Sequence, residues 1–151
     1  MPFITLATAK MHSRIDDTYS DADLTIKIAA AERAAIEYLQ CNVYADQAAL
    51  NTAIAAVPAS LSAAKAAYII ADAAVDALTD IDLSLMERAY AMTAYMRVVY
   101  AATRTRQGVV INDLIIAAML LTLGWLYEVR EDGDTCPRAA QDLLNPFRCY
   151  A

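Results

Sequence analysis

The residues of this chain that could do chemistry are three pairs of aspartates, a lone histidine and three cysteines. The pairs are Asp16 with Asp17, Asp80 with Asp82, and Asp132 with Asp134. Two carboxyls can share general acid–base work when a pocket shifts their pKa values. All three pairs fall in predicted turns, where aspartate caps helices and bonds nearby backbone, so a solvated role is read for each. His12 has no partner at Glu-x-x-His spacing, the pattern that builds di-metal sites in helical bundles. Cys41, Cys136 and Cys149 lack any Cys-x-x-Cys spacing and read as reduced, small apolar fillers. With 3 glycines the chain has no phosphate-cradling loop, and it has no Gly-x-Ser-x-Gly elbow. No catalytic residue, metal site or cofactor is expected, and the chain reads as a non-enzyme.

The net charge of −6 argues against a grip on nucleic acid, which needs Lys and Arg to replace phosphate counterions. An acidic protein can still surround DNA that must slide past. Hydrophobic residues make up 59% of the 151, so the chain can bury a core as one domain. Few Gly and Pro and abundant Ala, Leu, Ile and Met favour helix. No signal peptide is read at the start, since Met1-Pro2-Phe3 runs into a polar stretch carrying Lys10 and Arg14.

These residues must be positioned by helices. Thr5 suits the cap of a first helix ending near Arg14. Ser20 can cap a second, with Asp23 in the capping-box place. Leu24, Ile28, Ala31, Ala35 and Tyr38 form its core stripe, and Asp23 pairs with Lys27 one turn on. Cys41 to Tyr44 is the exit. Asp46 can cap a short helix to about residue 56, and Pro58 suits the first turn of the next. Leu61, Ala64, Tyr68, Ala71, Val75 and Leu78 then recur at heptad spacing. Asp82 can cap a longer helix reaching about Arg106, with Leu85, Ala89, Met92, Met96, Val99 and Thr103 on its stripe. Tyr90, Arg97 and Tyr100 lie beside that stripe. Two such helices joined by a short turn make an Ala-rich antiparallel hairpin over about 45–108.

A mostly apolar helix follows from about Asn112 to Arg130, and it should be the one the others wrap. Stretch 109–127 resembles a membrane span, but its uninterrupted part, 114–127, falls short of the roughly 20 residues a bilayer requires. A buried helix, and no membrane, is therefore expected. Residues 131–134 form a loop, and Pro137 starts a last short helix through Leu144 that Asn145-Pro146 ends. The fold class is all-α: a compact helical bundle within one domain, 1–151, carrying the inserted hairpin.

Both ends of the chain resemble one family. Ile4-Thr5-Leu6-Ala7, Ala9-Lys10, Arg14-Ile15-Asp16 and Asp23-Leu24 look like the opening of the head–tail connector proteins of tailed bacteriophages, also called head-completion or adaptor proteins. Ala29-Ala30-Ala31-Glu32 and Ile36-Glu37-Tyr38-Leu39 continue the likeness. Ala117 to Leu121, then Trp125-Leu126-Tyr127-Glu128-Val129-Arg130-Glu131, resemble the family's central helix with its closing aromatic pair and Arg-Glu. Leu143-Leu144-Asn145-Pro146-Phe147-Arg148 resembles the family's close, with Phe147 in place of the usual Tyr. The likeness covers about 4–44 and 112–150, and the hairpin between looks like an insertion relative to compact members.

The resemblance implies a homo-oligomeric ring, about a dozen copies closed by heterologous contacts, docked beneath the portal protein. Such a ring extends the DNA channel, lets genomic DNA pass without specific binding, and receives the downstream tail-completion (stopper) protein. It implies a virion protein made in the host cytoplasm. Candidate ring or portal contacts are Tyr127, Glu128, Arg130, Glu131, Phe147, Arg148 and Tyr150, because aromatic and Arg side chains dominate interfaces. The aromatic-basic tail has the alternative of folding back on its own domain, and Trp125 that of core packing. Tyr90, Arg97 and Tyr100 are the candidate hairpin contacts. Residue types alone also allow a non-viral helical partner-binding bundle without catalysis, which would expose an apolar groove. A membrane-active hairpin is a third reading.

Overall fold

A computed structural model describes residues 2–16, 18–128 and 137–149. Two compact units divide the chain, one formed by 1–47 with 108–151, the other by 48–107.

In the first unit, α1 (Leu6–Ser13) starts at Thr5, whose side-chain oxygen accepts the Thr8 N–H, and ends on Arg14 in the left-handed region. Helix α2 (Asp21–Leu39) starts after Ser20, whose side chain makes no capping bond, so the expected capping box does not form. The acids Asp21 and Asp23 sit in its first turn, where they complement the helix dipole. Lys10 of α1 pairs with Asp21, and Lys27 pairs with Asp23 at 3.0 Å, the i,i+4 pair expected from spacing. Asn112 caps α5 (Asp113–Glu128), its Oδ1 accepting the Ile115 N–H at 3.0 Å. Helix α6 (Arg138–Leu144) follows Pro137 and runs into a 3₁₀ turn over Asn145–Phe147.

Helix α5 is the one the others wrap: α1, α2 and α6 all pack on it. It buries Ile115, Ala118, Met119, Thr122 and Leu123 against Leu24, Ile28, Ala31, Ala35 and Leu39 of α2. Leu39, rather than Tyr38, closes the α2 stripe; Tyr38 stays partly exposed because its hydroxyl has a partner at the surface. Thr122, the buried polar residue of this core, donates its hydroxyl to the Ala118 carbonyl at 2.9 Å. Two strands not foreseen from sequence, β1 (Val43–Tyr44) and β2 (Val109–Val110), pair in parallel, Val43 with Val109 and Tyr44 with Val110. Val and Tyr suit a pleated surface, but two-residue runs carry no periodic signal. The pairing holds the two points where the chain leaves and re-enters this unit side by side.

The second unit is a pair of long helices. Helix α3 (Gln47–Val75) is continuous, with Pro58 inside it, which corrects the expected break near residue 56. Proline deprives the Ile54 carbonyl of its donor, yet both residues are exposed and water can take that carbonyl. After a turn at 76–80, α4 (Ile81–Arg106) starts at Asp80, which accepts the N–H groups of Asp82 and Leu83 at 3.0 and 3.1 Å. Asp82 was the expected cap; the geometry moves it by two residues, since Asp80 holds the extended backbone an N-cap needs. Asp80→Ala is expected to cost the hairpin about 1 kcal/mol. Faster hydrogen exchange at the amides of Asp82 and Leu83, with unit-one amides unchanged, would register it.

The stripes of the two helices differ in how they read. On α3, Leu61, Ala64, Tyr68, Ala71 and Val75 do turn inward, Val75 being buried, whereas Leu78, the last of the expected stripe, lies past the helix end and is exposed. On α4 the inward stripe is Arg88, Ala91, Tyr95, Val98 and Ala102; of the expected stripe, Leu85, Ala89, Met92 and Met96 are exposed, while Val99 and Thr103 are half-buried. Arg88 bonds Asp72 at 2.9 Å and Asp76 at 2.5 Å, and the Tyr68 and Tyr95 rings stand 5.8 Å apart. The Asp72 carboxylate, with Asp76 beside it, holds the Arg88 guanidinium above its usual pKa. Leu85, Met92 and Met96 are 61%, 44% and 52% exposed. A two-helix unit packs one face of each helix, and here small Ala and the Arg88–Asp pairs selected a face that apolarity alone did not.

Candidate interaction surfaces

Tyr127 and Glu128 end α5, where the buried stripe gives way to the surface. The Tyr127 ring packs on the core edge, with the Lys27 ammonium 4.9 Å from its centroid, and Glu128 is exposed. Arg130, Glu131 and Tyr150 lie outside the described residues. The tail folds back on its own unit through residue 149. Phe147 packs against the core, and the Arg148 guanidinium stands 4.8 Å over the Tyr38 ring. Tyr38 donates its hydroxyl to Asn145 Oδ1 at 2.6 Å, and the Cys149 N–H donates to the Leu39 carbonyl at 2.9 Å.

These residues gather into two places, not one. Tyr127 sits at Lys27 of α2, while Arg148, with Phe147 beside it in the tail, sits at Tyr38, eleven residues further along the same helix, about 16 Å at the α-helical rise. Lys27 and Tyr38 belong to these surfaces although spacing placed them only in a wet ion pair and a core stripe. The Arg148–Tyr38 contact spans most of the chain, so no local pattern announces it. Tyr38→Phe is expected to lower unit-one stability by about 0.5–1 kcal/mol, the worth of one exposed hydrogen bond. A urea titration followed by the fluorescence of Trp125, the single Trp, checks this.

On the hairpin, Tyr90, Arg97 and Tyr100 are all exposed, spaced seven and three residues apart and therefore on one side of α4. Tyr90 is 63% and Tyr100 52% exposed, with the Arg104 guanidinium 5.9 Å from the Tyr100 ring. Between the helices lies an Ala-lined hollow of about 310 Å³, walled by Ala64, Ala67, Ala71, Ala91 and Ala94 with both tyrosines, Tyr68 and Tyr95. Outside it, α3 is almost wholly exposed though long and apolar enough to cross a membrane by length and composition. That property was expected to tempt at 109–127; it belongs to α3, because α5 has only 16 residues and lies in the core.

Charge is divided along the hairpin. Asp72, Asp76, Asp80, Asp82 and Glu87 gather toward the turn around Arg88, while Arg97, Arg104 and Arg106 lie toward the other end. Among the described residues no group of His, Cys, Asp and Glu is placed to hold a metal ion. His12 is exposed, and a Cβ placed on Gly124 would lie 3.6 Å from its Nε2. Among the described residues, what these surfaces offer is area, aromatic rings and cations.

A family model described as phage gp6-like head-tail connector protein matches residues 3–87. The match takes in α1, α2, β1, α3 and the first turns of α4, and it ends before the carboxy-terminal motifs. No curated protein and no solved structure matches the chain.

Proposed function

The chain belongs to the phage gp6-like head–tail connector family, and is thus a structural component of a tailed-phage virion that works with portal and tail proteins; from that membership we propose that it is the repeating subunit of a closed ring docked beneath the portal. About a dozen copies in cyclic symmetry would extend the DNA channel and present the site where the tail-completion protein attaches. The observation that supports this reading beyond the family is the bare apolar surface of the hairpin, with Ile69, Ile70, Leu83, Met86 and Met92 exposed along α3 and α4. Of the exposed apolar side chains, Met86, Tyr90, Met96 and Tyr100 share one face of α4, and such a face marks a protein partner or a membrane. Protein is the better cover here, since α4 carries Asp82, Glu87, Arg88, Arg97, Arg104 and Arg106 and could not follow α3 through a bilayer.

Heterologous contacts that close a ring cover two different faces of every copy and leave no sticky edge. Tyr127 with Lys27, and Phe147 with Arg148 and Tyr38, supply two separated aromatic-cation patches for such unlike faces. The acidic balance fits a channel through which DNA slides, since few cations are present to hold phosphates. The protein would be made in the host cytoplasm and join the virion after packaging. Sedimentation of the full chain with isolated portal rings tests the docking: the chain should travel with the portal in a fixed ratio. Failure to bind both isolated portal and filled capsids would end this reading, leaving the family and the fold in place.

A further inference from the structure

The side of α4 turned away from α3 carries complementary residues at equal distances from one point, a methionine opposite each tyrosine and an acid opposite a base. Its centre is Thr93, exposed and about half a turn round the helix from the inward stripe of Ala91, Tyr95, Val98 and Ala102. Three residues either side of Thr93 stand Tyr90 and Met96; seven either side, Met86 and Tyr100; eleven either side, Asp82 and Arg104. Offsets of three, seven and eleven all fall on one helical face, because they lie close to one, two and three turns. Four of these side chains, Met86, Tyr90, Met96 and Tyr100, are 55%, 63%, 52% and 52% exposed.

We infer that two copies of this chain pair antiparallel through α4, about a twofold axis at Thr93. In that arrangement Met86 of one copy meets Tyr100 of the other, and Met96 meets Tyr90. Each contact sets a thioether against an aromatic ring, a favourable fit. Asp82 of one copy meets Arg104 of the other at both rims. A parallel pairing would instead place Asp82 on Asp82 and Arg104 on Arg104, so charge selects the orientation as it does between coiled-coil helices. The contact runs from Asp82 to Arg104, about 33 Å at the helical rise. Such a contact is isologous and cannot recur between neighbours in a rotational ring. On the ring reading, then, the dimer is the unassembled form: it covers Tyr90 and Tyr100 until docking opens it. The pairing itself stands without that reading.

Sedimentation equilibrium of the full chain, free of portal, is the test. The chain should sediment at twice its 16.4 kDa mass. Thr93→Arg sets two guanidinium groups on the axis and should halve that mass while leaving the far-ultraviolet helical signal unchanged, since Thr93 is exposed. Orientation is read by mixing Asp82→Cys and Arg104→Cys chains, oxidising and mapping linkages by mass spectrometry. Links joining 82 to 104 between chains are expected. A wild-type monomer throughout a dilution series, a Thr93→Arg chain of undiminished mass, or links joining 82 to 82 would each overturn the inference, whatever the portal experiment gives.

Discussion

Leu123→Ala should lower the stability of unit one by about 3–5 kcal/mol, the range for a fully buried leucine whose surroundings cannot collapse into the space. Leu123 has no exposed surface and lies on α5, the helix against which α1, α2 and α6 pack. Domains of this size have only about 5–15 kcal/mol to lose. The hairpin should be indifferent, because its buried residues, Leu50, Val57, Val75 and Ala102, form no part of that core. Trp125 stands two residues from the substitution and no Trp lies in 48–107, so tryptophan fluorescence reads unit one alone. A urea midpoint close to wild type would mean that α5 is not the central element.

Pro58→Ala carries the second large effect, and it is a gain. Proline inside a helix is about 3 kcal/mol less favourable than alanine, partly offset by its stiffening of the unfolded chain, which is worth about 0.4–1 kcal/mol. Pro58 is well inside α3, eleven residues beyond Gln47, so the first-turn exemption does not reach it. A net gain of about 2 kcal/mol should slow hydrogen exchange of the amides after residue 58 roughly thirtyfold, at 1.4 kcal/mol per factor of ten, wherever local opening governs exchange. Unchanged or faster exchange there would mean the helix does break at Pro58 in solution.

Pro58 also shows what a sequence conveys. Proline is a strong local signal for a helix start; the alanine-rich sequence on both sides overrides it. The opposite case is unit one. Thr5, Arg14, the Asp23–Lys27 pair, the α2 stripe from Leu24 to Ala35 and the buried α5 were all legible, because each depends on residues within a few turns of one another. The α4 stripe was not. Leu, Met and Val outrank Ala as core formers, so Leu85, Met92 and Met96 read inward; the pairing of Arg88 with Asp72 and Asp76 lies across a turn, where no local spacing shows it. For the same reason the candidate surfaces were half legible: Tyr127, Glu128, Phe147 and Arg148 could be named, but their partners Lys27 and Tyr38 come from another helix.

On the ring proposal, the exposed, apolar hairpin and the two aromatic-cation patches share one role: they are surfaces to be covered by other copies and by the portal. Electron microscopy of the portal vertex measures that role most directly. Filled, portal-bearing capsids incubated with the full chain should show a ring of added density coaxial with the portal, its rotational order following that of the vertex. A vertex left unchanged at saturating protein would contradict the ring.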